Sequence, residues 1–249
     1  MLFAAAVAGY LLSLMFRGNF KSVDAPRPEV LQAPVQEDYG EGDVPEQVVH
    51  LTKNGFNITL YPVARYTLSG LIVAKNDHKI LGLGWGVIFP MDLCVIWGET
   101  VRSRGYQAPS LEIIQRGTVC YFSSRGPMTF QINEVSNNHI FVTDPALERA
   151  LKNLEAGDQV TLEGELVNVS AVPEKARDLA GTAKMELKTS TSREDTGNGA
   201  CEILYVKELK VLVPGHPIAQ FFSRICFFGM LLFGLLLVLR VVLLPIGRY

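Results

Sequence analysis

The chain has 249 residues, a length that suits one domain of ordinary size with added segments better than two full domains. Its 23 Lys and Arg residues are offset by 25 Asp and Glu residues, and the net charge of -2 argues against a protein that binds nucleic acid by neutralising phosphates. The mean hydropathy of +0.20 is positive because of the two ends of the chain, whereas the middle has the composition of a soluble domain.

An uncharged apolar segment, Leu2 to Phe16, lies at the start of the sequence. It is short for a membrane span, since a helix needs roughly 20 residues to cross the hydrocarbon of a bilayer. No basic residue precedes it and no small-x-small site follows it, which argues against a cleaved signal peptide. We therefore interpret residues 1–17 as an N-terminal transmembrane anchor, and we interpret the Pro- and acid-rich residues 18–47 as an extended linker.

Alternating β-branched and aromatic residues predict a β-rich domain over residues 48–214. One helix is predicted within it, Pro145 to Leu154, because Asp144 is a good N-cap and a proline occupies the first helical position. The predicted strands cover residues 66–74, 117–122, 128–135, 139–143, 159–169, 185–189 and 202–212.

The order of these elements predicts the fold class: mainly β, a β-rich α+β fold in the form of a small OB-like barrel with one short helix, flanked by two hydrophobic helices. In an OB fold a helix separates the third and fourth strands. A glycine such as Gly164 then permits the bend of a strand that both sheets share.

A second apolar segment predicts a C-terminal transmembrane helix over residues 219–247. Arg224 would mark one interface, and Arg240 is close enough to the end of the segment to reach the headgroups along its own stem. Because the segment between them is apolar on every face, a buried helix of a soluble protein is the weaker interpretation.

Membrane topology stays open at this stage. The basic residues near the two spans weakly favour a cytoplasmic domain, whereas a Pro-rich linker after an anchor is typical of exported proteins, and we favour an extracytoplasmic domain. The predicted location is the cytoplasmic membrane of the cell. The expected partners are the lipid bilayer and another membrane or envelope protein, with no nucleic acid.

The four cysteines show no C-x-x-C pair and no histidine at metal-ligand spacing, so we predict no metal and no cofactor. Cys226 lies inside the C-terminal apolar segment, which leaves Cys94, Cys120 and Cys201 for the domain. If two of these form a disulfide, one free thiol remains, and the sequence does not decide which.

Three segments of the domain carry candidate binding residues. Trp97 closes the stretch Pro90 to Gly98, which follows a glycine-rich run that lacks the strand-turn-helix context of a dinucleotide site. His139, at the start of a predicted strand, is either a hydrogen-bonded structural residue or a general base.

The loop Ser190 to Glu202 is the most distinctive segment, because it combines hydroxyls, carboxylates, an arginine and glycines. Short polar side chains of this kind can satisfy their own backbone, which is the structural interpretation. The functional interpretation is an anion- or peptide-binding turn, in which the Arg193 guanidinium binds the ligand through two N–H groups and backbone N–H groups of the loop form a concave anion site, or nest. Its candidate binding residues are Arg193, Glu194, Asp195, Gly197, Gly199 and Cys201.

Four sequence blocks of the domain are distinctive: P-x-D-L-x-x-x-W-G (Pro90 to Gly98), N-x-H-x-x-x-x-D (Asn137 to Asp144), G-D-x-V-x-L-x-G-x-L-V (Gly157 to Val167) and S-R-E-D-T-G-x-G-A-C-E (Ser192 to Glu202). In this order they resemble an uncharacterised family of bacterial membrane-anchored proteins over about residues 60–210. The resemblance implies a bacterial source, an N-terminal hydrophobic anchor and a membrane location, and it implies no activity. This chain departs from the family in having Val142 where a proline is usual and in its C-terminal span.

Two functional hypotheses follow. The first is a membrane-anchored binding or structural module within a bacterial envelope assembly. The second is a membrane-bound hydrolase or transferase that uses Cys201, with His139 as base and Asp195 or Glu194 orienting it. We expect Cys201 not to be a nucleophile, because the nearby carboxylates disfavour a thiolate.

Overall fold

A computed structural model describes residues 1–16, 18–40, 48–77, 88–127, 131–174, 184–194 and 200–243. The helices are α1 (Leu2–Phe16), α2 (Gly98–Arg102), α3 (Pro145–Lys152) and α4 (Pro217–Leu243). The strands are β1 (Val35–Asp38), β2 (Val49–Lys53), β3 (Phe56–Asp77), β4 (Met91–Ile96), β5 (Leu111–Arg116), β6 (Val119–Ser124), β7 (Val135–Phe141), β8 (Gln159–Pro173), β9 (Met185–Leu187) and β10 (Glu202–Val213).

The fold is a β-rich α+β fold in which strands of the main sheet close a ring. Going around it, β3 pairs antiparallel with β4, β4 antiparallel with β7, β7 parallel with β10, β10 antiparallel with β8, and β8 antiparallel with β3. Strands β1 and β2 add to β3, and β9 adds to β8, which makes an eight-stranded sheet; β5 and β6 form a separate hairpin.

The interior of the ring holds the main hydrophobic core. Side chains that alternate along the strands meet there, for example Leu68 on β3, Leu93 on β4, Ile140 on β7, Leu162 on β8 and Leu204 on β10. Residues at the intervening positions of the same strands face outward, where two further hydrophobic clusters cover part of the ring.

Gly164 of β8 pairs with Val206 of β10 and with Tyr66 of β3, so it lies in a strand shared by both neighbours in the ring. A Cβ atom built there would lie 2.0 Å from the carbonyl oxygen of Tyr205, so only glycine fits. The register between β8 and β10 shifts at the next pair, between Val206 and Glu208.

Helix α3 confirms the predicted helix and its cap. The carboxylate of Asp144 accepts a hydrogen bond from the backbone N–H of Ala146 at 2.7 Å, and Pro145 occupies the first turn. The helix covers one end of the ring, where Leu151 and Leu154 pack into the core.

The expected linker is instead docked on the domain over its described part, residues 18–40. Phe20, Val23 and Val30 are buried in a cluster with strands β3 to β5, and β1 pairs with β3. The prediction failed because these apolar residues follow neither a helical nor a strand period, so their burial leaves no pattern in the sequence. Residues 41–47 lie outside the described part of the chain.

Several strand predictions differ from the structure. Strand β4 was not predicted, because all six of its residues are buried and it therefore lacks alternation. Strand β5 was also missed. Within the strand predicted at 128–135, residues 132–134 form a 3-10 turn, and residues 128–130 lie outside the described part of the chain.

Helices α1 and α4 pack against each other beside the domain. Gly9 of α1 lies against Cys226, where a Cβ would be 2.9 Å from Sγ, and the rings of Tyr10 and Phe227 are 6.0 Å apart. The outward side chains of both helices are apolar and exposed. Within α4, Pro217–Arg240 is long and apolar enough to cross a membrane, whereas α1 is shorter.

Candidate functional site

Strands β4, β7 and β10 place three ionisable side chains on one face of the sheet. Asp92 is the cross-strand partner of His139, and Ile203 is the parallel partner of His139. Because side chains alternate along a strand, Asp92 and His139 face away from the core that Leu93 and Ile140 enter. Cys201 directly precedes β10, and it reaches the same outer face.

The carboxylate of Asp92 lies 2.8 Å from Nδ1 of His139, and the two side chains are 0% and 4% exposed. The ring of Phe89 stacks on the imidazole at a centroid distance of 4.8 Å. Burial alone lowers the pKa of His139, but its hydrogen bonds to Asp92 and Cys201 outweigh burial and raise the pKa from 6.5 to about 9. The charged form of the imidazole is therefore favoured.

Cys201 is a free, half-buried thiol, and two polar side chains among the described residues lie beside it. The first is His139. The second is Asn137, whose Nδ2 donates a hydrogen bond to Sγ of Cys201 at 3.2 Å. Asn137 is itself held by the β5–β6 hairpin, because Nδ2 also donates to the carbonyl oxygen of Thr118 at 2.7 Å and Oδ1 accepts from Nε2 of Gln115 at 2.9 Å.

The loop before Cys201 is built differently from the predicted anion fork. The guanidinium of Arg193 forms an ion pair with Glu202, donates to Oε1 of Gln36 at 3.1 Å, and lies 5.2 Å from the ring centre of Tyr66. Arg193 thus pairs with Glu202 rather than with its sequence neighbour Glu194.

The described part of this loop also satisfies its own backbone. The backbone N–H of Glu194 donates to Oγ of Ser192, and the N–H of Ser192 donates to Oγ of Ser190. Both contacts match the structural interpretation. Asp195, Gly197 and Gly199 lie outside the described residues, so the expected backbone nest is not described.

Trp97, the remaining candidate residue, lies elsewhere. Its side chain is 2% exposed and belongs to the core inside the ring, where it precedes α2. The structure therefore brings together His139 and Cys201 but not Trp97.

Sequence reasoning missed Asp92 and Asn137. The orienting carboxylate was expected from Glu194 or Asp195, but Asp92 occupies that position, 47 residues from His139 in the chain. The signal that could have found Asp92 is a lone carboxylate in an otherwise apolar six-residue stretch, since a buried carboxylate needs a partner.

No protein-family model, curated protein or solved structure matches this chain. Among the described residues, no group of three or more His, Cys, Asp or Glu side chains is arranged to hold a metal ion.

Proposed function

We propose that the protein is a membrane-held OB-like module in which Cys201 is the nucleophile of a hydrolase or acyltransferase. The observation that carries this proposal is a cluster on one face of the sheet: the His139 imidazole is hydrogen-bonded to the Asp92 carboxylate, and the Cys201 thiol is hydrogen-bonded to Asn137, two residues before His139 on β7. A nucleophile, a base beside it and a third group that orients the base are the signature of covalent catalysis. The proposal reverses our sequence-based expectation for Cys201.

The strand order supports the OB-like part of the proposal. Reading β3, β4, β7, β8 and β10 as strands one to five, the ring has the pairing order 1-2-3-5-4-1, and α3 lies between strands three and four. OB folds bind ligands on the face of strands two and three, between the loops that join strands one to two and four to five. Asp92 and His139 lie on those two strands, and Cys201 ends the second loop. This supporting argument is an analogy at the level of fold.

In the proposed reaction, the proton of the Cys201 thiol resides on His139, whose raised pKa keeps the imidazole charged at neutral pH, and Asp92 stabilises this imidazolium. With Nδ1 turned to the carboxylate, Nε2 is the nitrogen that exchanges the proton. The thiolate attacks an acyl carbon to form a thioester, and the imidazolium returns its proton to the leaving group. Water then releases the acid, or a second acceptor takes the acyl group, with His139 acting as base again.

The family resemblance adds a separate argument. Three of the four blocks on which it rests each contribute to the site: Asp92 comes from the first, Asn137 and His139 from the second, and Cys201 from the last. The blocks are far apart in sequence and meet only through the sheet.

We also propose that α4 spans a bacterial cytoplasmic membrane, with α1 packed against it, and that the domain faces the extracytoplasmic side. The Cys94–Cys120 disulfide supports that side, since structural disulfides belong to oxidising compartments. The partners proposed are the bilayer and another membrane or envelope protein.

The second candidate is a non-enzymatic binding module in an envelope assembly. It is favoured by the 4% exposure of the His139 side chain, because a base must be reached by its substrate. In that case the Asp92–His139 pair would be a structural element beneath a binding face.

Alkylation of the full-length protein in nanodiscs separates the two candidates. Iodoacetamide is applied across a pH range of roughly 5 to 9, and each cysteine is followed by mass spectrometry. The enzyme proposal expects Cys201 to react on the acid side of neutrality and to lose that reactivity in His139→Ala and Asp92→Asn. His50→Ala, which changes an exposed histidine on β2, is the control.

A covalent intermediate is sought in the same samples by intact mass after addition of a thioester or an activated ester. A Cys201-dependent acyl adduct supports the enzyme. Slow labelling of Cys201 that is released only by denaturant, with no adduct, supports the binding module and overturns the enzyme proposal.

A further inference from the structure

The β5–β6 hairpin is attached to the site at two adjacent points. Cys94 and Asn137 are cross-strand partners in β4 and β7, and Cys120 and Gln115 are cross-strand partners in the hairpin. A disulfide joins Cys94 to Cys120, and a hydrogen bond of 2.9 Å joins Gln115 to Asn137. The hairpin pair Gln115–Cys120 therefore lies beside the sheet pair Asn137–Cys94. The two pairs are joined both by the disulfide and by the hydrogen bond.

This arrangement fixes which end of the Asn137 amide faces the thiol. Oδ1 accepts from Gln115, whereas Nδ2 donates both to the carbonyl oxygen of Thr118 and to Sγ of Cys201. Turning the amide over would set Oδ1 against the Thr118 carbonyl and Nδ2 against the Gln115 donor, so the hairpin holds the N–H toward sulfur.

An N–H aimed at sulfur stabilises the negative charge that sulfur acquires when it loses its proton. It also fixes the direction of the side chain on the surface of the sheet. His139 accepts the proton but does not by itself fix that direction.

We propose that Asn137 is the positioning residue for the Cys201 thiolate and that the β5–β6 hairpin, through Gln115, holds Asn137 in its working orientation. The inference rests on the proposed function, because it assigns a role within the same reaction. It adds a residue and a supporting segment that neither the sequence nor the Asp92–His139–Cys201 set identifies.

The test is the pH profile of Cys201 alkylation in full-length variants. Asn137→Ala is expected to move the half-maximal pH upward by about one unit, which is about a tenfold slower rate on the acid side. Gln115→Ala is expected to give a smaller shift in the same direction, since Thr118 still contacts Asn137. Asn76→Ala is the matched control, because its amide donates to the carbonyl oxygen of Gly117 in the turn of the same hairpin. That variant should keep the wild-type profile.

A double-variant cycle separates positioning from general destabilisation. If Gln115 acts through Asn137, then adding Gln115→Ala to Asn137→Ala causes no further shift in the half-maximal pH of Cys201 alkylation. Independent, additive shifts in the two backgrounds would overturn the inference. Melting temperatures measured on the same samples identify any variant that fails to fold, in which case Asn137→Asp, which keeps the shape but removes the donor, replaces Asn137→Ala.

The two proposals fail in different ways. A wild-type profile that does not depend on His139 overturns the proposed function. A profile that depends on His139 but is unchanged by Asn137→Ala and Asn137→Asp overturns only the positioning role.

Discussion

Cys201 and Glu202 are consecutive residues at the start of β10, and their side chains enter opposite sides of the ring. Cys201 meets Asn137 and His139 on the outer face. Glu202 is 2% exposed and pairs with Arg193 on the inner face, in line with the core residues of β10. The two-residue period of a strand thus separates two polar sets that share one stretch of backbone.

The two sets differ in what their charges can do. On the inner face a guanidinium, which stays charged at all ordinary pH values, neutralises a buried carboxylate, so the pair can only hold the structure together. On the outer face the Asp92 carboxylate is hydrogen-bonded to the imidazole of His139, whose pKa is raised to about 9, so His139 can gain or lose a proton within the ordinary pH range. The comparison indicates that Arg193 holds the structure together through Glu202, whereas the proposed chemistry belongs to Cys201, the residue that precedes Glu202.

The scaffold under both sets depends on Gly164, so the largest effect is expected there. Gly164→Val would place side-chain atoms against the Tyr205 carbonyl, where even a Cβ lies 2.0 Å away, and we expect a loss of more than about 4 kcal/mol of stability, or no folded protein. Thermal melting of the full-length protein measures it. Glu163→Val, which adds the same side chain at an exposed neighbouring position, should change stability by less than about 0.5 kcal/mol. Equal melting temperatures for the two variants would contradict the close crossing of β8 and β10.

The inner set is tested by Arg193→Met. Removing one partner of a buried ion pair costs about 3–5 kcal/mol, because the buried carboxylate of Glu202 loses this counter-charge; with Arg193 27% exposed we expect about 3–4 kcal/mol. The pH profile of Cys201 alkylation should stay as in the wild type. Arg65→Met, which removes an exposed ion pair with Glu37, is the control, and its effect should be below about 1 kcal/mol. A changed pH profile of Cys201 in Arg193→Met would show that the inner ion pair influences the outer thiol, and it would contradict the separation of the two sets.

Much of the scaffold can be predicted from the sequence. Strands β8 and β10 alternate clearly, and Asp144-Pro145 marks the start of α3, so these elements and their order can be read directly. Strand β4 cannot, because burial on both faces removes the alternation on which the prediction depends.

The site is only half predictable for a related reason. His139 and Cys201 are chemically conspicuous and could be selected from the sequence, but nothing local indicates that they meet. Their contact, and that of Asp92 with His139, is produced by the pairing of β4, β7 and β10, which are remote in sequence. Strand register of this kind depends on the whole sheet rather than on the sequence around each residue.

The outer set, Asp92, His139 and Cys201, is tested by the dependence of protein stability on pH. Because the pKa of His139 is raised from 6.5 to about 9, the folded protein holds this proton more tightly than the unfolded chain. The stability that results is fully present below about pH 6.5 and is lost as the pH rises through about 9. One pKa unit corresponds to about 1.4 kcal/mol, so a shift of this size contributes at most about 3–4 kcal/mol.

The measurement compares melting of the wild type and His139→Gln between about pH 5 and pH 10. The difference between them should be greatest at the acid end and shrink toward pH 10, whereas His50→Gln on β2 should follow the wild type throughout. A difference that grows with pH would show that the imidazole is neutral in the folded protein, and the outer set would then lack its charged partner for a thiolate.

The smallest effect on stability is expected for Cys201→Ser. Oxygen replaces sulfur with little change in volume, and the hydroxyl can still accept from Nδ2 of Asn137, so stability should change by less than about 1 kcal/mol. The same substitution should abolish the acyl adduct completely, because a serine hydroxyl beside this histidine is a much weaker nucleophile than a thiolate. Measured together, the two results oppose those expected for Arg193→Met, which should lose stability and keep the thiol profile. If Cys201→Ser instead melted several degrees lower and the adduct persisted, Cys201 would have a structural role like that of Glu202. The two sides of β10 would then not differ in function.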